Sequence, residues 1–459
     1  MHEKIRGDIE EVAPSKELKT YPETELINKK LQWFEDQKIG VIFHWGLYAE
    51  AGIVESWQLS EKDEWAREPK AWRDDIKTLQ RDYWNLIDDF NPTHFNPTAW
   101  AKMCKGAGFR YMIFTTKHHD GFHMWNTVQS DYKICSHRSP CKVDLYKEVV
   151  DAFCNEGLGI GAYYSKADWH SPLYWSKPDT IKDRRADYSP TENPELWDKY
   201  VQYVHNELEE ITQNYGSIDI LWLDAGWCGK DPEDLRMDEI AEKVRKTNKD
   251  LLMVDRMMGG RHENYVTPER KIPSYDEIPK QTWESNIPLG NDWGYVPTDV
   301  YKSSREIILA IIDVVTKGGN IILGVGPKPD GTFTEESKSM MAEIGKWVSL
   351  CGEGIYETRA LTDLAGDRTW KMTRKGDCYY GFYIISEEAS SPTSLMIDHI
   401  EVEGKIIKNV ATLDHQELVN FEEEKGAYQL MLPEREFPWS IIALKFEVAQ
   451  DKDILSVEQ

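Results

Sequence analysis

The chain has 459 residues, enough for one large domain and a smaller one with an ample core. Its formal charge of −25, from 55 basic and 80 acidic side chains, argues against nucleic acid or an anionic membrane as main partner, since either demands a basic surface. The 18 Trp and 22 Tyr supply flat apolar rings with one polar edge, surfaces suited to a neutral, ring-shaped ligand such as a sugar.

Cys104, Cys135, Cys141, Cys154, Cys228, Cys351 and Cys378 form no C-x-x-C pair, so neither a zinc site nor a disulfide framework is indicated, and reduced thiols are expected. Met1-His2-Glu3-Lys4 leads into polar sequence without an apolar signal core, and no run long enough to span a bilayer occurs. A soluble chain is expected; if a signal peptide has been removed, its place would be the periplasm or outside the cell. Composition assigns no oligomeric state.

Residues 1–30 are charged and aperiodic and are expected to form an arm or lead-in helix. The first buried strand, Ile39 to Phe43, runs into His44-Trp45-Gly46, a polar residue among aromatics at a strand end. A tryptophan-studded segment with Glu55-Ser56-Trp57 follows, then a helix opened by Pro97. The second strand, Tyr111 to Thr116, runs into Lys117-His118-His119-Asp120-Gly121-Phe122. At least one of two adjacent histidines in such a turn must face a polar space. A metal on this pair is disfavoured, because the helical i, i+4 spacing is missing and neighbours in a strand point to opposite faces.

A helix from Leu145 to Glu156 precedes the third strand, Gly159 to Ser165, and a helix between Pro194 and Tyr215 precedes the fourth, Ile218 to Asp224. Asp224 stands where that strand ends, before Gly226-Trp227. Carboxyl ends of parallel strands are where such sheets bind ligands, so a carboxylate there has a functional reading beside the ordinary one of a helix cap. The pattern continues with a helix near 233–247, a strand from Leu251 ending on Asp255-Arg256, an irregular stretch over 257–293, a helix over 305–317, a strand from Asn320 and a helix over 335–350. Alternating strands and helices imply parallel strands with right-handed crossovers. Beyond Gly354 the period falls to two, which predicts an antiparallel β domain.

A barrel mouth both charged and aromatic fits a polyhydroxylated ligand. Hydrolysis of a glycosidic bond needs two carboxylates, one to attack or to activate water and one to protonate the departing oxygen. Asp224 is the first; Glu263, Glu269, Glu277 and Glu284 are equal candidates for the second.

Phe43-His44-Trp45-Gly46, Lys117-His118-His119-Asp120-Gly121-Phe122, Tyr163-Tyr164-Ser165, Trp222-Leu223-Asp224-Ala225-Gly226-Trp227, Asp255-Arg256, and Lys317-Gly318-Gly319-Asn320 to Gly326-Pro327 resemble the α-L-fucosidases of glycoside hydrolase family 29, over roughly residues 31–360. The resemblance implies a degenerate (β/α)8 barrel over 31–353, an antiparallel β-sandwich over 354–447 and a tail over 448–459. It implies a retaining, cofactor-free and metal-free exo-hydrolase of fucosylated oligosaccharides or glycoconjugates, with Asp224 as nucleophile. Glu269, in a Glu-containing stretch some forty residues on, becomes the favoured acid/base. His44, His118, His119, Tyr164 and Arg256 are the implied sugar contacts, joined by Trp57 and Trp222. Many members carry Glu-Trp after the first strand where this chain has Glu55-Ser56-Trp57, so either Glu55 reaches the sugar from a shifted position or that contact is lost. An α-L-galactoside is therefore an alternative substrate; a silent carbohydrate-binding barrel and a metal-dependent hydrolase are the rival classes.

Overall fold

The computed structural model describes residues 23–256, 260–361, 369–386, 388–398, 402–424 and 426–449. Most of the expected arm, residues 1–22, and of the tail, 450–459, lies outside them. Within the stretch expected to lead in, Thr24 caps a helix, α1 (Glu25–Gln37), by accepting the Ile27 amide.

Seven parallel strands follow: β1 (Ile39–Phe43), β2 (Tyr111–Lys117), β3 (Gly159–Ser165), β4 (Ile220–Asp224), β5 (Leu252–Val254), β6 (Glu284–Pro288) and β7 (Asn320–Val325). Their order in the sheet is β5-β4-β3-β2-β1-β7-β6. The helices between them are α2 (Leu47–Ala51), α3 (Ile76–Trp84), α4 (Pro97–Gly106), α5 (Leu145–Asn155), α6 (Pro194–Gln213), α7 (Met237–Val244) and α8 (Ser304–Thr316), and α9 (Glu335–Cys351) follows β7. Local chemistry starts them: Asn96 accepts the Ala99 amide beside Pro97, Asp144 accepts the Lys147 amide, and Ser303 with Glu306 forms a reciprocal capping box.

Because a strand turns alternate side chains to opposite faces, each strand supplies two cores. Ile42, Tyr111, Ile113, Tyr163, Ile220, Trp222, Leu252, Val254 and Ile322 cluster with Ile27 and Phe34 of α1 inside the barrel. Val41, Phe43, Met112, Phe114, Ala162, Tyr164, Leu221 and Leu223 join the larger core shared with the helices.

The sheet ends at β5 and β6, and an irregular segment spans the gap. Asn264 is bonded to Met253 on the β5 side, its amide donating to the carbonyl at 2.9 Å and its side-chain oxygen accepting the amide at 2.7 Å. On the β6 side the main-chain amide of Glu284 donates to Val266 O, that of Asn286 to Pro268 O, and that of Arg270 to Asn286 O, at 2.8–3.0 Å. The eighth barrel position is thus a bridge without a regular strand, the sense in which the barrel is degenerate. Strand β6 lies inside the stretch 257–293 expected to be irregular. Its Glu284-Ser285-Asn286 carries no apolar signal, yet pairing with β7 buries it completely.

The remaining strands are β8 (Arg359–Ala360), β9 (Trp370–Lys375), β10 (Cys378–Ile384), β11 (Ser394–Asp398), β12 (Ile407–Thr412), β13 (Asn420–Glu424), β14 (Ala427–Met431) and β15 (Ile441–Val448). They form antiparallel sheets β12-β15-β10-β9-β8 and β11-β14-β13. Trp370, Tyr379, Ile442 and Phe446 of one sheet share a core with Ile397, Tyr428 and Leu430 of the other, which makes this a β-sandwich. Arg305 of α8 ties it to the barrel, donating to Trp439 O and Ile385 O at 3.0 Å each.

Candidate active site

A cavity at the carboxyl ends of the barrel strands is lined by His44, Glu55, Trp57, His118, Trp222, Asp224, Arg256 and Glu269, together with Ile42, Tyr163, Gly226, Trp227, Asn286 and Trp293. All the site residues singled out from sequence line it except His119 and Tyr164.

Asp224 closes β4 on its inner face, two residues beyond Trp222. Its Oδ1 accepts from Arg256 Nε at 2.9 Å and its Oδ2 from the Tyr163 hydroxyl. Arg256 has φ 66°, in the left-handed region a side chain rarely adopts, and from that turn its Nη2 also grips Glu269. One guanidinium therefore holds both carboxylates. Asp224 is 17 % and Glu269 11 % exposed, shielded yet reachable. Burial pushes the Asp224 carboxyl up, but the Arg256 charge and the Tyr163 hydrogen bond prevail and hold it well below the usual carboxylate range.

The two histidines owe their placement to an irregularity in β2. Thr115 pairs with Tyr163, but Lys117 pairs with Tyr164, so Thr116 is an extra residue that reverses the alternation. Unbulged, the strand would turn Lys117 into the barrel and His118 out of it. Instead Lys117 is buried outside the sheet, and the rings of His118 and His119 lie 4.1 Å apart at the cavity. His119 reaches Asp224 from behind the lining, its Nε2 3.8 Å from Asp224 Oδ2. His118 and His119 both follow the end of β2 at Lys117, so strand alternation does not force their rings to opposite faces.

Burial lowers His119 to about 3 despite the opposing pull of Asp224. Burial and the neighbouring histidine also hold His44 and His118 well below their ordinary values. Neutral rings offering one donor and one acceptor suit hydroxyl groups. His44 stands 5.2 Å from Tyr163 and 5.4 Å from Trp293, and its buried Nδ1 has no hydrogen-bond partner among the described residues.

Tyr164 requires a correction. It lies on the outer face of β3, where its hydroxyl donates to Glu207 Oε2 of α6 at 2.6 Å and accepts from Lys117 Nζ at 3.1 Å. The ring facing the cavity is Tyr163, in phase with Gly159 and Gly161 on the crowded inner face, where a Cβ on Gly161 would meet Ile113 at 2.7 Å. Hydrogen bonds to charged groups contribute about 1.5–3 kcal/mol, so Tyr163→Phe is expected to lower kcat/KM by about tenfold or more. Tyr164→Phe is expected to lower the melting temperature and leave KM unchanged. A KM rise confined to the Tyr164 variant would reverse this assignment.

Glu55, separated from Trp57 by Ser56, lies at the cavity wall. With φ 31° it bends back to line the cavity along with Trp57, its Oε1 accepting the Trp293 and Gly294 amides at 3.0 and 2.8 Å. Glu55 thereby braces the loop that carries Trp293. Trp57 packs against His119 and Trp227, at 4.8 and 5.9 Å. Sequence reasoning missed Tyr163, Asn286 and Trp293 as lining residues; Asn286 and Trp293 come from the stretch expected to be irregular.

Among the described residues two groups have metal-ligand character: His118, His119 and Asp224, and His123, Asp168 and Glu207. The second already holds a cation, Lys117 Nζ, 2.7 Å from Glu207 Oε2 and 3.3 Å from Asp168 Oδ2.

A family model described as Alpha-L-fucosidase matches residues 9–353. The alpha-L-fucosidase of Dictyostelium discoideum is 26% identical over 344 residues, covering 71% of this chain and 71% of that protein. The tissue alpha-L-fucosidase of Homo sapiens is 27% identical over 377 residues, covering 77% and 75%. Among solved structures, alpha-L-fucosidase isoenzyme 1 from Paenibacillus thiaminolyticus superposes with a TM-score of 0.78 at 27% identity, covering 93% of this chain and 100% of that one.

Proposed function

The chain belongs to the alpha-L-fucosidase family of glycoside hydrolases, and on that premise we propose that it removes terminal α-L-fucosyl groups from oligosaccharides or glycoconjugates with retention, through a glycosyl–Asp224 ester. The observation that carries the reading is the shared grip of Arg256 on Asp224 and Glu269. A retaining site needs its two carboxyl groups about 5 Å apart, and one guanidinium bonded to both keeps them close.

In the first step Asp224 attacks the anomeric carbon, the glycosidic C–O bond breaks, and Glu269 gives its proton to the departing oxygen. In the second, Glu269 takes a proton from water as the water oxygen attacks the same carbon, and the ester bond to Asp224 breaks. Negative charge passes from Asp224 to Glu269 in the first step and returns in the second. Arg256 contacts both, so its electrostatic stabilisation follows the charge with little rearrangement. Tyr163 orients the nucleophile; His44, His118, His119 and Glu55 take sugar hydroxyls; Trp57 and Trp222 give the ring apolar surface. The apolar faces of Ile42, Trp222 and Trp293 support a methyl over a hydroxymethyl substituent, hence fucose over L-galactose. We read the catalytic barrel as residues 31–353 and the sandwich as 354–447.

The test is a 2-deoxy-2-fluoro-fucosyl fluoride label. Digestion should locate the adduct on the peptide containing Asp224, and NMR of early product should show the substrate's anomeric configuration. A label on another carboxylate, or an inverted product, would overturn the proposal.

A further inference from the structure

The geometry points to a second kind of ligand for the same cavity: we propose that His118, His119 and Asp224 bind a borderline-soft divalent cation such as Zn²⁺ in place of the sugar, so that the ion is a competitive inhibitor. This rests on the reading of the cavity as the fucose site.

The three residues' ligating atoms all lie within 4.8 Å of one another, and His119 Nε2 is 3.8 Å from Asp224 Oδ2. Tetrahedral zinc with bonds of about 2.1 Å sets its donors about 3.4 Å apart, so inward shifts of about 1 Å suffice. Three protein ligands with an open fourth position is an arrangement zinc accepts.

The tautomer of His119 is fixed by its neighbours. Ser165 Oγ donates its one proton to Ala167 O at 2.7 Å, so towards His119 Nδ1, also at 2.7 Å, it can only accept. Nδ1 therefore carries the ring proton, and Nε2 is a bare lone pair, buried and without a hydrogen-bond partner among the described residues. A histidine with one nitrogen tied as donor and the other bare is the arrangement of a metal ligand with its outer-shell partner in place. His118 is anchored in parallel, with Nδ1 2.6 Å from Ser56 Oγ.

Charge favours entry of a cation, since Glu55 and Asp224 line the cavity beside the guanidinium of Arg256. The same guanidinium and the Tyr163 hydroxyl already share Asp224. An incoming ion competes with both, which makes it displaceable by sugar and not a resident cofactor.

The experiment is calorimetric titration of the full chain with Zn²⁺ in a Cys154→Ser background, because Cys154 is an exposed thiol. One ion per chain is expected, with apparent affinity falling at least about tenfold in saturating L-fucose. Ser165→Ala removes the outer-shell acceptor and should cost about tenfold or more in zinc affinity. His118→Gln, a second variant, should do the same if Ser165→Ala does not fold. Co²⁺ in place of Zn²⁺ should give tetrahedral absorption bands without a thiolate charge-transfer band. Zinc binding indifferent to L-fucose and to both substitutions, or a thiolate band, would overturn the proposal. If L-fucose itself does not bind the metal-free chain, the fucosidase reading fails, while the two variants still decide the metal site.

Discussion

Asp224→Gly is expected to lower kcat on an activated aryl α-L-fucoside by about 10,000-fold or more, since removing the nucleophile of a concerted group abolishes the step it performs. The loss should be recoverable in a diagnostic way. Glycine leaves a space beside Arg256 and Tyr163, which otherwise hold the two carboxylate oxygens of Asp224. Azide is a small anion matched to that space and to the guanidinium beside it. It should displace the aryl group once, giving a fucosyl azide of inverted configuration, with activity rising in proportion to azide. Near-normal activity without azide would remove Asp224 from the mechanism.

Glu269→Ala should divide substrates by their leaving group. General acid catalysis contributes about 100- to 10,000-fold, and that loss should be seen in full with a glycan, whose departing alkoxide needs a proton. A dinitrophenyl fucoside needs none, so its first step should survive and the glycosyl enzyme accumulate as a burst, because water then lacks its base. Azide needs no base and should relieve the block, giving an azide of retained configuration. The opposite stereochemistry of the two rescues separates the roles within one assay format. An equal loss on both substrate types would assign the acid role to another carboxylate.

Where sequence and structure agree, the reason is steric periodicity. Buried runs ending at His44, His118, Asp224 and Arg256 mark the barrel and its working end, since a charge at a strand terminus is readable without coordinates. Tyr164 was misplaced because two adjacent tyrosines are equally aromatic and only the strand's phase separates them. That phase is written in Gly159 and Gly161, which share the inner face with Tyr163. The Thr116 bulge left no mark that alternation could detect, although it decides whether a lysine or a histidine enters the cavity. Strand β6 was hidden because its inward side chains are polar: Glu284 is buried against the Tyr111 hydroxyl at 2.6 Å, and burial pushes its carboxyl up to about 8. Choosing Glu269 among four glutamates took resemblance to known enzymes. In the fold Glu284 faces Tyr111 in the barrel interior, and Glu277 is paired with Lys271.

The bridge between β5 and β6 makes the two carboxylates unequal in what holds them. Asp224 is built into a hydrogen-bonded strand whose every neighbour is spoken for, so the chain around it has no slack. Glu269 rides on the bridge, pinned to β6 where the Pro268 carbonyl and the Arg270 amide on either side of it bond to Asn286, and joined to β5 through Asn264. Asp224 is thus placed by the strand ladder of the barrel, whereas Glu269 is placed by one strand, β6, and by the arginine that reaches both carboxylates.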